Sequence, residues 1–226
     1  MNSEQKRRYK EGVYGQLERV GKALASRLRL ELLDVLAQGE HTVEALAQET
    51  ATSVANVSQH LQVLRRARLA ETRQEGTYVY YRLADERVIR LLQALRDVGE
   101  ARLAELHQIQ LDYRKKRGEF EPVGMQELFD RLRTDDVVVL DVRPAGEYEA
   151  GHIAGARSIP LDELEARLEE IPPDAEVVAY CRGLYCVFAD EAVERLRKHG
   201  RRARRLALGY PDWWTAGLPV NRPADS

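Results

Sequence analysis

Apolar residues recur every three or four positions through most of the first half of the chain. Two segments, YGQLERVGKALAS and RLRLELLDVLAQG, are therefore expected to form amphipathic helices, the second ending at Gly39. Two more follow, TVEALAQET and SVANVSQHLQVLRRARL, and each opens on a residue, Thr42 or Ser53, whose hydroxyl can cap the first turn. The pattern predicts a helical start to the protein.

The period of the pattern changes after these helices. LAETRQEGTYVYYRLA contains two β-rich runs separated by QEG, which predicts a hairpin. ERVIRLLQALRDVGEARLAELHQIQLDYRKKRG then returns to a helical spacing as one long helical stretch, with apolar residues over more of its surface than a single exposed helix carries. This last stretch is expected to pack its apolar face against a partner.

Short Val-rich runs alternate with helical segments in the second half, which is typical of a parallel sheet flanked by helices. The predicted strands are DVVVLDVR, AEVVAYC and RRARRLALG, and the predicted helices include LDELEARLEEI and CVFADEAVERLRKHG. The charged segment DYRKKRGEFEPVG, with Gly118 and Pro122, is the expected linker. We therefore predict two domains, a mainly α domain with a β-hairpin at 1–118 and an α/β domain at 119–226.

Composition and charge narrow the possible partners. With 44% hydrophobic and 32% charged residues, the chain lacks an apolar run near the roughly 20 residues of a membrane span. Its start, MNSEQKRRYKEG, lacks the apolar stretch of a signal peptide, so a cytoplasmic protein without membrane association is expected. Residues 1–118 carry 21 Lys+Arg against 16 Asp+Glu, and residues 119–226 carry 14 against 21. A positive first half suits a polyanion such as DNA.

The segment TVEALAQETATSVANVSQHLQVL predicts two short helices joined by a tight turn, the arrangement of a helix-turn-helix. Val57, Leu61 and Leu64 share one face of the second helix and are expected in the core. The expected DNA-contacting residues are Ser53, Ala55, Asn56, Ser58, Gln59, Gln62 and Arg66, with Arg73 and Gly76 in the hairpin tip as a wing. A polar helix face of this kind can also be merely solvated.

Helix-turn-helix, hairpin and closing helix follow in this order across residues 12–110. The stretch KALASRLRLELLDVLAQGEHTVEALAQETATSVANVSQHLQVLRRARLAETRQEGTYVYYRLA resembles the winged helix-turn-helix of the ArsR family of bacterial repressors. The resemblance implies a homodimer, formed through the first and last helices of this domain, that binds a palindromic double-stranded operator and releases it when a ligand binds. The uncovered apolar face of residues 88–109 agrees independently with such a partner.

Metal-sensing members of that family carry cysteines where this chain reads GEHTVEALAQ. His41 is the only potential ligand there, and a single histidine is more often an ordinary surface residue than part of a metal site. His107, in the last helix of this domain, has no carboxylate at a suitable spacing. Neither a metal nor another cofactor is expected, and the signal must be detected elsewhere in the chain.

Both cysteines of the chain, Cys181 and Cys186, lie in VVAYCRGLYCVFADEAVERL, between a predicted strand and a predicted helix. The helix N-terminus is expected to lower the pKa of Cys181 and make its thiolate available as a nucleophile. Gly183 would let loop amides face an anion or a terminal persulfide sulfur, and Arg182 adds positive charge. The alternative is an inert Cys181 at the end of a buried strand.

Three ordered motifs in the second half, VVLDVRPAGEYEAGHIAGARSIPLDEL, YCRGLYC and LGYPDWWTAGLPV, resemble the rhodanese family of sulfurtransferases over residues 121–221. The resemblance implies an α/β rhodanese domain in which Cys181 accepts a sulfane sulfur as a persulfide. It also implies that Asp141, Arg143 and His152 support the architecture around the loop.

The loop departs from the common rhodanese form at its end, where Cys186 replaces a basic residue that holds thiosulfate. Thiosulfate is therefore in doubt as the donor. A second thiol could attack a persulfide on Cys181, or close a disulfide or polysulfide bridge with it if the Cα atoms come within about 7 Å. Cys186 could equally be a small apolar residue in the first helical turn.

Together the two halves predict a DNA-binding regulator, a repressor, whose rhodanese domain responds to a small sulfur donor or another thiol-reactive signal at Cys181. Two alternatives stay open. One is a sulfurtransferase, acting through a Cys181 persulfide, whose DNA-binding domain regulates its own operon. The other is a thiol sensor of peroxide, electrophiles or arsenite.

Overall fold

The computed structural model describes residues 2–115, 121–134 and 137–223. Within it the chain forms two compact units, residues 1–92 and 93–226. The predicted linker glycine, Gly118, lies outside the described residues, so the domain boundary at that position stays a prediction. The division between the units falls inside a helix, after Leu92.

The first unit combines helices with a small antiparallel sheet, as the sequence predicted. Its elements are α1 (Ser3–Leu24), α2 (Arg27–Leu36), β1 (His41–Thr42), α3 (Val43–Glu49), α4 (Val54–Arg66), β2 (Ala70–Glu75), β3 (Tyr78–Leu83) and the beginning of α5 (Arg87–Arg102). The predicted caps are confirmed: the hydroxyl of Thr42 accepts from the N–H of Ala45 at 3.2 Å, and that of Ser53 accepts from Asn56 at 3.3 Å. The strand order is β1-β3-β2, with all pairs antiparallel.

The core of the first unit lies between α2, α3, α4 and the first turn of α5. Val57, Leu61 and Leu64 are fully buried on one face of α4, which confirms the predicted core face. They pack in one cluster with Leu33 and Leu46. Truncating such a leucine to alanine typically costs about 2 to 5 kcal/mol, so this cluster holds the outer face of α4 in place.

The second unit is a parallel sheet with helices on its faces, which confirms the predicted class. After α5 come α6 (Ala104–Lys115), α7 (Met125–Leu132), β4 (Val137–Asp141), α8 (Ala145–Ala150), β5 (His152–Ile153), β6 (Arg157–Ser158), β7 (Glu176–Tyr180), α9 (Phe188–Lys198), β8 (Arg202–Arg205), α10 (Tyr210–Thr215) and β9 (Val220–Asn221). The four-stranded parallel sheet has the order β6-β4-β7-β8, and β5 pairs with β9.

Strand β7 runs through the middle of this sheet and is buried on both sides. Val177 and Ala179 pack into one apolar cluster, and Val178 and Tyr180 pack into another, because successive side chains of a strand point to opposite faces. The strand therefore delivers its next residue, Cys181, to the carboxyl end of the sheet. In parallel sheets covered by helices, this end is where ligands usually bind.

Two expectations about helices are wrong. Residues 161–171 form turns and a short 3-10 helix (Leu168–Glu170) rather than an α-helix. Their ends are fixed: the N–H of Leu161 bonds to the carbonyl of Val142, and Ile171 is buried directly before Pro172. The long closing stretch is two helices, because the chain breaks at Leu103. Within the described residues, no helix is long and apolar enough to cross a membrane.

Candidate functional site

The two cysteines share one loop, residues 181–187, between β7 and α9, which we call the thiol loop. Cys181 is buried, at 2% exposure, whereas Cys186 is half-buried. The thiol of Cys181 donates to the backbone carbonyl of Cys186, with 3.6 Å from Sγ to O. The fold of the loop thus brings the Cys181 thiol into contact with the backbone of Cys186.

The two thiols have opposite pKa shifts. Burial raises the pKa of Cys181 well above the ordinary thiol value, and its hydrogen bond to Cys186 adds to the rise. The pKa of Cys186 is lowered chiefly by its side-chain interaction with Cys181, and the N–H groups of Phe188 and Arg182 also lower it. The prediction that the helix N-terminus lowers the pKa of Cys181 is wrong, since desolvation outweighs that effect. Phe188 opens α9, so its free N–H acts on Cys186 instead.

Arg182 is held by a buried carboxylate. Its Nε lies 2.9 Å from Oε1 of Glu147, a residue of α8, and the two side chains are 9% and 1% exposed. Its guanidinium also stacks 5.3 Å from the ring of Phe188. Arg182 therefore ties the thiol loop to α8, and its charge is already matched by Glu147.

The segment that begins at Gly209 packs against the backbone of the thiol loop. A Cβ on Gly209 would lie only 2.3 Å from the backbone carbonyl of Arg182 and 2.4 Å from the N–H nitrogen of Gly183, so only glycine fits there. The carbonyl of Gly183 accepts the N–H of Cys186 at 3.1 Å, which closes the turn between the thiols. Asp212 accepts the N–H of Gly209 through Oδ2 at 3.1 Å. Gly209, Asp212 and Glu147 were not singled out from the sequence as site residues, although all three lie inside the rhodanese-like motifs.

Asp141 and Arg143 form a fully buried ion pair beside the central strand. Arg143 Nε lies 2.9 Å from Oδ1 of Asp141, and its Nη2 donates to the carbonyl of Gly151 at 2.7 Å. The hydroxyl of Tyr180 donates to the same carboxylate at 2.5 Å. Burial and the negative charge of Asp141 raise the pKa of Tyr180 well above its ordinary value. This network joins β4, β7 and the turn after α8.

The ring of His152 is held by stacking and by a hydrogen bond. Its ring lies 3.6 Å from that of Tyr148, and Nδ1 is 2.8 Å from the carbonyl of the same tyrosine. Among the described residues, no group of three or more His, Cys, Asp or Glu side chains is arranged to hold a metal ion.

The outer face of α4 presents most of the predicted DNA-contacting residues to solvent. Ser58 is half-buried, and the exposed residues are Ala55, Asn56, Gln59, Gln62 and Arg66. Ser53 is exposed as well, but its hydroxyl caps the helix. The backbone of Arg66 is fixed by Arg19, whose Nη2 donates to the Arg66 carbonyl at 2.7 Å.

The wing is a tight hairpin. Gly76 has a φ of 59° in the two-residue turn between β2 and β3, a backbone conformation that favours glycine. Arg73 lies 2.8 Å from Glu40 and 2.7 Å from Glu75, and these two hydrogen bonds raise its pKa. Binding of Arg73 to a phosphate would therefore have to compete with two carboxylates on the same surface.

Comparison with known families supports both halves. The family described as "Bacterial regulatory protein, arsR family" matches residues 26–72, and the family described as "Rhodanese-like domain" matches residues 124–216. Sulfurtransferase of Allochromatium vinosum is 32% identical over 102 residues, which are 45% of this chain and 94% of that protein. The solved structure of a homodimeric winged helix-turn-helix DNA-binding domain from Mycobacterium bovis, a possible ArsR-family regulator, is 46% identical and covers 42% of this chain and 87% of that chain, with a TM-score of 0.40.

One relative matches along almost the whole chain. HTH-type transcriptional regulator Rv0324 of Mycobacterium tuberculosis is 44% identical over 215 residues, which are 95% of this chain and 94% of that protein. The match covers both the helix-turn-helix and the domain that contains the thiol loop, in the same order along the chain. The chain therefore belongs to the ArsR family of transcriptional regulators and carries a C-terminal rhodanese domain.

Proposed function

We propose that this regulator is a homodimeric repressor whose affinity for its operator falls when sulfane sulfur reacts at the thiol loop. The observation that carries the proposal is the pairing of Cys181 and Cys186 in one loop, with a hydrogen bond between them and opposite pKa shifts. A structural cysteine needs no such partner. The rhodanese domain supplies the fold in which a thiol at this position takes up sulfur, and a relative of that domain is named a sulfurtransferase.

The first chemical step is transfer of one sulfur to Cys181 from a hydropolysulfide or an organic persulfide. The Cys181 sulfur attacks the sulfane sulfur of the donor, so that one S–S bond forms and the donor's S–S bond breaks. The leaving thiolate keeps the electron pair of that bond. In this step the Cys181 proton passes to the thiolate of Cys186, and the lowered pKa of Cys186 supports a thiolate there.

The second step forms a disulfide between the two cysteines. After losing its proton to solvent, Cys186 attacks Sγ of the Cys181 persulfide and displaces hydrosulfide, which leaves a Cys181–Cys186 disulfide. The two thiols lose two electrons, and the sulfane sulfur gains them as it becomes sulfide. No oxidant other than the sulfur donor is required.

The DNA-binding half works as a dimer in this proposal. Large apolar side chains are exposed along α1 and α5, which a second copy of the chain would cover: Tyr9, Val13, Tyr14 and Leu17 on α1, and Leu91, Leu95 and Val98 on α5. Contiguous apolar faces of this kind mark interaction sites. Two copies related by a twofold axis would present two α4 helices to the half-sites of a palindromic operator.

The proposal is tested by operator binding of the wild type and Cys181→Ser, each with and without polysulfide, followed by intact mass. The expected result is a loss of binding in the treated wild type only, together with a gain of sulfur or a loss of two hydrogens. Unchanged binding by a wild type that has taken up sulfur would refute the sensor.

A second candidate, a sulfurtransferase whose DNA-binding half regulates its own operon, is favoured by one observation. The rhodanese-like match, over residues 124–216, spans the complete four-stranded sheet and the thiol loop. Steady turnover of thiosulfate with cyanide, at a rate that operator DNA leaves unchanged, would support this candidate. Reaction that stops at one equivalent per chain supports the sensor.

A further inference from the structure

Helix α5 places three polar side chains in contact with the thiol loop and with α10 of the second unit. Gln93, Arg96 and Glu100 follow one another at spacings of three and four residues and share one face of the helix. All three belong to the second unit. We call them the relay face of α5.

The first contact of the relay face is with the thiol loop itself. The hydroxyl of Tyr185, the residue before Cys186, donates to Oε1 of Glu100 at 2.7 Å. The same oxygen accepts from Gln110 of α6 at 2.6 Å, so Glu100 is held from the other side. Tyr185 is 51% exposed, and it also interacts electrostatically with Arg96 of α5.

The second contact is with the segment that supports the loop. Asp212 accepts from Arg96 at 2.7 Å and from Gln93 at 3.1 Å through Oδ1, while its Oδ2 holds the N–H of Gly209. Gly209 lies directly against the backbone of Arg182. The ion pair of Arg96 and Asp212 is largely shielded, at 18% and 6% side-chain exposure, so water screens it little.

A reaction at the cysteines has to disturb these contacts. A persulfide adds a bond of about 2.05 Å to a sulfur, and Cys181 has only 2% exposure to accommodate it. A disulfide instead requires the Cβ atoms of Cys181 and Cys186 to approach about 3.8 Å. Closely packed interiors respond to such changes by discrete displacements. Tyr185 adjoins Cys186, so its bond to Glu100 is the contact most directly exposed to that displacement.

Helix α5 also belongs to the DNA-binding unit at its beginning. Val88 and Ile89 are buried, and Val88 and Leu92 pack in the core cluster of the first unit. The face of α5 that carries Leu91, Leu95 and Val98 is exposed and apolar. Helix α5 therefore contacts the thiol loop through one face and carries the apolar residues of the proposed dimer interface on another face.

We propose that the bond between Tyr185 and Glu100 is the switch contact of this regulator: made in the reduced protein, broken when the thiol loop takes up sulfur, and passed to the dimer face along α5. Gln93 and Arg96 are positioning residues that hold the helix against Asp212 in both states. The inference rests on the proposed function and assigns residues to its regulation.

The test compares the wild type with Tyr185→Phe and Glu100→Ala in the full-length protein. Each is assayed for operator affinity before and after treatment with polysulfide, and for sulfur uptake by intact mass. Both variants should take up sulfur as the wild type does, while their fold-change in operator affinity differs from that of the wild type by at least about fivefold, the lower end of ordinary coupling between sites. The double variant should differ no further than either single variant, because both remove the same contact.

Two further variants separate the switch from a general loss of structure. Glu100→Gln keeps a carbonyl oxygen that can accept from Tyr185, and it should restore most of the wild-type response. Glu105→Ala removes an exposed glutamate of α6 and should respond as the wild type. If Tyr185→Phe and Glu100→Ala respond like a responsive wild type, the relay is wrong and the sensor stands. If the wild type itself takes up sulfur without a change in affinity, the proposed function fails.

Discussion

The thiol of Cys181 donates a hydrogen bond to the backbone carbonyl of Cys186, with 3.6 Å between Sγ and O. One thiol is buried and the other half-buried, so the two sulfurs of the same loop occupy different dielectric environments. Burial penalises a thiolate at Cys181, whereas the interaction with the Cys181 side chain and nearby backbone N–H groups stabilises one at Cys186. A thiolate in this loop is therefore favoured on Cys186 over Cys181.

As the pH rises, thiol alkylation should modify Cys186 before Cys181. Because its pKa is lowered, Cys186 exists as thiolate at a lower pH than a free cysteine, whose pKa is about 8.5, and it should react with iodoacetamide first. Cys181, with its pKa raised, should react only at higher pH. Peptide mapping after brief labelling between about pH 6 and 10 measures both. Cys181→Ala removes the largest cause of the Cys186 shift and should move Cys186 labelling to higher pH.

Replacing the second thiol should separate the two chemical steps. Cys186→Ala is expected to take up sulfur on Cys181 and keep it as a persulfide, because no second thiol is present to displace hydrosulfide. The wild type should go on to lose two hydrogens. Intact mass before and after a reductant distinguishes the products. A persulfide found on Cys186 alone in the wild type would contradict the assignment of Cys181 as acceptor.

Loss of the buried ion pair of Arg182 and Glu147 should lower the free energy of unfolding far more than loss of an exposed ion pair. Glu147→Ala leaves a guanidinium of 9% exposure without its carboxylate, and we expect a loss of about 3 to 5 kcal/mol in the free energy of unfolding. Urea unfolding followed by tryptophan fluorescence reports it, since both tryptophans, Trp213 and Trp214, lie in the second unit. The control is Glu163→Ala, which removes an exposed partner of Arg167 and should cost under about 1 kcal/mol. Equal losses in the two variants would contradict the predicted anchoring of the loop.

Two residues on the outer face of α4 should affect DNA binding differently. Gln59→Ala should weaken operator binding by about 1 to 3 kcal/mol and relax sequence preference, because a glutamine side chain can pair with a base edge. Arg66→Ala should weaken operator and unrelated DNA alike and reduce the salt slope by about 1, as expected for a phosphate contact. Titrations at several salt concentrations measure both. An unchanged operator affinity would remove Gln59 from base readout.

A charge on the apolar face of α5 should break the proposed dimer. Val98 is 63% exposed in the chain, so Val98→Glu should fold normally, yet place a carboxylate against apolar surface in the second copy, where it costs several kcal/mol. Sedimentation should then show monomers with weakened operator binding. Ala166→Glu adds the same charge at an exposed site of the second unit and should stay dimeric. Dimeric Val98→Glu would place the interface elsewhere.

The periodic parts of the fold follow from the sequence because their signals are local. The spacing of Val57, Leu61 and Leu64 fixes the buried face of α4, and the hydroxyls of Thr42 and Ser53 mark where two helices begin. The Val-rich strands predict a parallel sheet, and the order of motifs identifies both families. Apolar spacing alone misplaced a helix at residues 161–171, because fixed ends on the sheet and Pro172 decide the backbone there.

The sequence by itself determined the two domains, the outer face of α4 and the loop that holds both cysteines. Only the tertiary structure decided which thiol is stabilised as a thiolate, because burial depends on what packs over Cys181 and not on its neighbours in the chain. It alone brought Glu147 to Arg182, Asp212 to Arg96 and Glu100 to Tyr185, across separations of 35, 116 and 85 residues. Such contacts leave no periodic signal, since they form only when distant elements pack together.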